Sequence, residues 1–207
     1  MLLKRIIALF LTLALFQFSI NTNALSTAAK AAVLINGDTG EIIYSQNENE
    51  RLPMASTTKI MTGLLLCEYG NFDREITVTA EMIKVEGSSM GLLQGDKVTL
   101  HDLLYGLMLA SGNDAANVIA FVVSGSIEDF VALMNEKAKQ LNLTNTHFET
   151  PSGLDGETHY TSALDSANLA RYAMQNEEFA KAVSTKKRCL ITAIRRIDAL
   201  LQTIIKF

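Results

Sequence analysis

One strand–turn–strand unit followed by a series of helix-like stretches limits this chain more than any other pattern in it. Residues 31–35 (Ala-Ala-Val-Leu-Ile) and 41–44 (Glu-Ile-Ile-Tyr) are short apolar runs. Between them lies Asn36-Gly37-Asp38-Thr39-Gly40, rich in residues that suit tight turns. This arrangement predicts an antiparallel hairpin. From Ser56 the apolar spacing becomes helical: Ile60, Met61, Leu64 and Leu65 recur on one face, and Gly70 marks a stop. Further helices are expected over 100–110, from Asn113 or Asp114 to about 123, and over 127–141, 162–172 and 179–183. In 127–141, Phe130, Leu133, Met134 and Ala138 gather opposite Glu136, Lys137 and Lys139. Residues 75–78 read as extended, and 87–96 contain several turns. A lone hairpin is marginal in water. The sheet therefore needs further strands, and nothing beyond residue 185 reads as one.

The 207 residues, 48% hydrophobic, suffice for one domain with a real core. Residues 1–24 read as a secretory signal. Lys4 and Arg5 precede an apolar run over 6–18, and Asn21-Thr22-Asn23-Ala24 offers a cleavage region. The run is shorter than the ~20 residues a membrane span needs, and an uncleaved anchor is the alternative. Residues 25–185 hold 10 basic and 21 acidic residues, net −11. Such a body argues against nucleic acid as a partner. Residues 186–207 reverse the sign, with six basic residues and only Asp198 acidic. There Leu190, Ile194, Ile197, Leu201 and Ile204 follow a 4-3-4-3 spacing. This is either a basic amphipathic membrane-surface helix or an accidental pattern. Cys67, inside an apolar helix, is expected as a buried free thiol, unpaired with Cys189. His101, His147 and His159 lack metal-ligand spacing and are expected at turns and on the surface.

Two short strings carry chemistry. In Ser56-Thr57-Thr58-Lys59, positions i and i+3 of a helix place the hydroxyl and the amine on one face. A serine hydroxyl needs a base within hydrogen-bond reach. Lysine becomes that base when burial or a nearby cation lowers its pKa. A helix N-terminus at Ser56 would favour developing negative charge. In Ser111-Gly112-Asn113, Ser111 is a candidate proton relay to a leaving amine. Asn113 is a candidate to hold Lys59 or a substrate backbone. Alone the strings are weak: Ser184-Thr185-Lys186-Lys187 fits the first and Ser166-Ala167-Asn168 the second. Context singles out Ser56, which follows a hairpin, a polar loop and Pro53 and opens an apolar helix.

Over residues 30–185 the chain resembles the low-molecular-mass penicillin-binding proteins, the serine-type D-Ala-D-Ala carboxypeptidases. Five segments carry the resemblance in order. They are Asp38-Thr39-Gly40 with Tyr44; residues 53–62 around Ser56 and Lys59; Gly87-Ser88-Ser89-Met90 with Gly95-Asp96; residues 102–116 through Ser111-Gly112-Asn113; and Asn145-Thr146-His147-Phe148 with Pro151 and Gly153-Leu154-Asp155. Ser-x-x-Lys, Ser-Asp-Asn and Lys-Thr-Gly mark penicillin-binding proteins and class A β-lactamases. Gly112 in place of Asp is usual in the carboxypeptidases and disfavours a class A β-lactamase. The resemblance implies an α/β fold: a penicillin-binding transpeptidase-like domain with a helical lobe and, here, an incomplete antiparallel sheet. It implies Ser56 as acyl nucleophile on the terminal D-Ala-D-Ala of peptidoglycan stem peptides, with Lys59 as general base. It also implies β-lactams as acylating inhibitors, no metal or organic cofactor, and an exported protein in the periplasm or on the outer face of the membrane.

Near Lys186 the resemblance stops, and no Lys-Thr-Gly or Lys-Ser-Gly tripeptide occurs in the chain. In the family that strand supplies part of the oxyanion hole and binds the substrate carboxylate. Residues from about 187 on are expected to be a shifted reading frame or the premature end of a longer gene. Two functions stay open: a working carboxypeptidase, and an inactive remnant that binds peptidoglycan or a partner.

Overall fold

The computed structural model describes residues 27–154 and 156–187. The signal-like segment, Asp155, Cys189 and the tail beyond residue 187 lie outside the described residues. Strands β1 (Ala32–Ile35) and β2 (Ile42–Gln46) form the expected antiparallel hairpin. Ala32 faces Gln46 and Leu34 faces Tyr44, with a shift of register before Ile35. Asn36 builds the turn: its Oδ1 accepts from the N–H groups of Asp38 (2.9 Å) and Thr39 (3.1 Å). Among the described residues a helix supports the hairpin. β1 packs on α5 (Ala163–Ala173), and the Arg171 guanidinium donates to the carbonyls of Gly37 (2.9 Å) and Asp38 (2.7 Å). Leu34, Ile42 and Ile43 remain exposed. A second two-stranded sheet joins β3 (Glu75–Thr77) to β4 (Lys97–Thr99).

The rest is a helical lobe around α1 (Lys59–Tyr69). This helix touches α2 (Leu100–Ala110), α3 (Asn113–Ser124), α4 (Ile127–Gln140), α5 and α6 (Glu177–Ser184). Its position explains its sequence, because a helix surrounded on all sides reads as apolar nearly all round. Met61, Leu64, Leu65 and Leu66 are buried with Leu103, Leu104, Leu107, Ile119, Phe130, Met134 and Phe148. Each large side chain so buried contributes about 1.5–3 kcal/mol. Side-chain caps fix where helices begin. Thr99 and Asp102 form a capping box on α2; Ser126, Ser162 and Asn176 cap α4, α5 and α6. Each cap contributes about 1 kcal/mol.

One strand is added to the sequence reading, and two readings are corrected. Strand β4 was not expected, because three residues beside the Gly91–Asp96 turn region give too short a period-2 signal. Leu133, placed with the buried face of residues 127–141, is 37% exposed, while Phe130, Met134 and Ala138 are buried. His159, expected at a turn or on the surface, is only 5% exposed. Cys67 is buried and free, as expected. Among the described residues no single helix is long and apolar enough to cross a membrane.

Candidate active site

Ser56 lies in a 3₁₀ turn, Ala55–Thr58, that runs directly into α1. The turn leaves Ser56 exposed while Thr58 and Lys59 point inward. Ala55 enters it with φ +44°, a left-handed conformation that costs a non-glycine residue about 1–2 kcal/mol. Because α1 is central, its first residue is buried too, and Lys59 is 2% exposed. The Nζ donates to the Ser152 carbonyl at 2.7 Å and to Ser56 Oγ at 3.4 Å. Burial disfavours the ammonium form and lowers the Lys59 pKa from 10.5 to about 8. Of the two routes to a basic lysine, burial is the one realised here. Hydroxyl and amine are therefore adjacent, and the lowered pKa gives the amine a larger free-base fraction near neutral pH than an ordinary lysine has.

The second string sits at the junction of α2 and α3. Ser111 ends α2 with φ +52°, and its carbonyl accepts from Ser88 Oγ at 2.6 Å. The Ser111 hydroxyl is buried with no hydrogen-bond partner in the protein. A buried hydroxyl without a partner carries a desolvation cost of about 1–3 kcal/mol. Such a group is suited to a bond made only when substrate arrives. Asn113 opens α3. Its N–H donates to the Ser88 carbonyl (2.7 Å) and its Nδ2 to the Glu86 carbonyl (2.6 Å). One Nδ2 hydrogen is thus committed to the Glu86 carbonyl, and the Lys59 Nζ bonds to Ser56 and Ser152, not to Asn113. A cleft of about 270 Å³ brings Ser56 and Asn113 together, walled by Gly87, Ser88, Ser152 and Gly153. Ser111 makes no hydrogen bond to Ser56 or Lys59. Among the described residues no group of His, Cys, Asp or Glu could hold a metal ion.

Comparison with known proteins fits this geometry. The D-alanyl-D-alanine carboxypeptidase family model (peptidase S11) matches residues 18–203. The chain belongs to this family. It is 42% identical over 169 residues to D-alanyl-D-alanine carboxypeptidase DacF of Bacillus subtilis, covering 79% of this chain and 43% of that protein. Penicillin-binding protein 6B of Escherichia coli superimposes with a TM-score of 0.75 at 33% identity, over 83% of this chain and 59% of that one. A D-alanyl-D-alanine carboxypeptidase of Mycobacterium tuberculosis gives 0.79 at 30% identity, over 83% and 66%. The fold is the α/β fold of the penicillin-binding DD-peptidases. The chain spans about half the length of the curated relatives it matches.

Motif strings missed how this family member holds its site. Asp114, 3% exposed, accepts from the N–H groups of Met90 (2.9 Å), Gly91 (3.0 Å) and Leu92 (3.0 Å) and from Ser89 Oγ (2.6 Å). It pins the 87–92 loop, and with it one wall of the cleft. On the other side, residues 144–161 return across the Ala55–Thr58 turn. Besides the Ser152 carbonyl on Lys59, the Pro151 carbonyl accepts from Thr62 Oγ1 at 2.6 Å. Gly153, φ +86°, packs so tightly that a Cβ there would overlap the Ala55 carbonyl. Only the Pro151/Gly153 turn signature hinted at this, since carbonyl acceptors leave no mark on residue type.

Proposed function

We propose that this chain is built for acyl transfer by a serine-type D-Ala-D-Ala carboxypeptidase. Ser56 Oγ attacks the carbonyl of the penultimate D-alanine of a peptidoglycan stem peptide. Neutral Lys59 takes its proton. D-Alanine leaves with a proton relayed through Ser111, and water then clears the ester. Asn113 lines the cleft where the substrate backbone would lie. β-Lactams would acylate the same serine, and no cofactor enters the scheme. The observation that carries the reading is the buried Lys59 Nζ, held 3.4 Å from Ser56 Oγ and with its pKa lowered to about 8. An exported location agrees with the signal-like residues 1–24 and with a cell-wall substrate.

One observation favours a second reading, an inactive remnant that binds the stem peptide without turnover. The Lys59 Nζ makes its short bond, 2.7 Å, to the Ser152 carbonyl and only a 3.4 Å one to Ser56 Oγ, a geometry that holds the turn without activating the hydroxyl. Labelling with a fluorescent penicillin separates the two. A label that forms on the folded protein and is lost in Ser56→Ala supports the enzyme; no label on folded protein supports the remnant.

A further inference from the structure

We propose that His159 is a positioning residue for the Ser56–Lys59 turn, tying it through Thr58 to the backbone at Glu149. The Glu149 N–H donates to His159 Nδ1 at 2.9 Å. A backbone amide can only donate, so Nδ1 is the bare nitrogen and Nε2 carries the proton. That Nε2–H lies 2.7 Å from Thr58 Oγ1 and donates to it. Phe148 holds the ring edge-on, with centroids 6.0 Å apart, and both His159 and Thr58 are buried. Thr58 closes the 3₁₀ turn, two residues after Ser56 and directly before Lys59.

The position matters because the turn is strained at Ala55, φ +44°. Strain of this kind persists only where surrounding contacts over-determine the backbone. Residues 144–161 supply those contacts at Thr58, Lys59 and Thr62, through His159, the Ser152 carbonyl and the Pro151 carbonyl. Of the three, the histidine is the only side chain, so it is the one a substitution can remove cleanly. Misplacing a reacting group by about 1 Å can cost about 10² in rate. Freed at Thr58, the turn would carry Ser56 away from Lys59 and admit water to the amine.

The inference rests on the acyl-transfer reading for its consequence, but it is testable without it. In His159→Asn the amide oxygen can replace Nδ1 but nothing reaches Thr58. In His159→Gln a side-chain N–H can replace Nε2. We expect His159→Asn to acylate with penicillin at least tenfold more slowly and to raise the Lys59 titration midpoint, followed by ¹³C NMR of labelled lysine. His159→Gln should recover most of both. Thr58→Val, which deletes the acceptor within the same volume, should reproduce His159→Asn and decides the matter if that variant does not fold. In ¹⁵N-histidine spectra of the wild type, His159 should show a protonated Nε2 and a bare Nδ1. An Nδ1–H tautomer overturns the proposal. So does a folded His159→Asn or Thr58→Val protein with unchanged Lys59 titration and acylation. If the wild type is not acylated at all, the acyl-transfer reading falls, and the tautomer and the Lys59 titration still decide the role of His159.

Discussion

Replacing Lys59 by Met should make the stability of this protein respond to pH in one specific way. Folding lowers the Lys59 pKa from 10.5 to about 8 by burial. At about 1.36 kcal/mol per pH unit, the folded state carries about 3.4 kcal/mol of cost for the charged amine. Below pH 8 the lysine is charged in both states, and the cost is complete. Between pH 8 and 10.5 the folded protein gives up the proton first, and the cost fades. The wild type should therefore gain about 2.5 kcal/mol on Lys59→Met between pH 7 and pH 10. The variant also leaves the Ser152 carbonyl without its 2.7 Å donor. That loss, about 1–3 kcal/mol, offsets the absolute difference but not its slope. Urea unfolding of both proteins at pH 7, 8, 9 and 10 reads the difference directly, since groups common to both cancel. A difference that stays constant within about 0.5 kcal/mol, or that changes with the opposite sign, would refute a lysine with a burial-lowered pKa. The same shift leaves about one Lys59 in ten as free base at pH 7, against about one in three thousand for an ordinary lysine.

Gly153→Ala forces a Cβ onto the Ala55 carbonyl at a residue with φ +86°. We expect at least about 2 kcal/mol lost in urea melts, with penicillin labelling reduced in whatever remains folded. Asp114→Ala strips five hydrogen bonds from a carboxylate that is 3% exposed and leaves three N–H donors of the 87–92 loop behind. A loss of about 3–5 kcal/mol is expected, and faster amide exchange at Met90–Leu92 would locate it. Burial, then the carboxylates of Glu178 and Glu68, push the Cys67 thiol up to about 12. Peptide mapping after iodoacetamide at pH 8 should find Cys67 unmodified in native protein and alkylated in urea.

Helices were the legible part of this fold, because an apolar stripe repeated over 11–14 residues leaves little room for another reading. The 100–110 and 127–141 patterns correspond to α2 and α4 nearly residue for residue. Strands were less legible: β4 is three residues long and stands out only once Glu75 and Thr99 are seen opposite each other. At the site, the proximity of Ser56 and Lys59 was legible because both lie within one helical turn. The Ser152 carbonyl on Lys59 and the His159 imidazole on Thr58 join residues 93 and 101 positions apart. Neither follows from local spacing, and a carbonyl acceptor is carried by every residue. Burial of Lys59 was equally hidden, since it depends on α1 being surrounded by five other helices. The Asp114 cradle escaped because Asp near a helix start reads as an ordinary favourable charge on the helix dipole.

The most direct test of the central claim is the mass of the protein after brief exposure to a penicillin. An acylating Ser56 should add one β-lactam mass to intact folded protein, map to the peptide containing Ser56, and vanish in Ser56→Ala. Folded protein that stays unmodified, or an adduct that persists in Ser56→Ala, would contradict an acyl-transfer site built on Ser56 and Lys59.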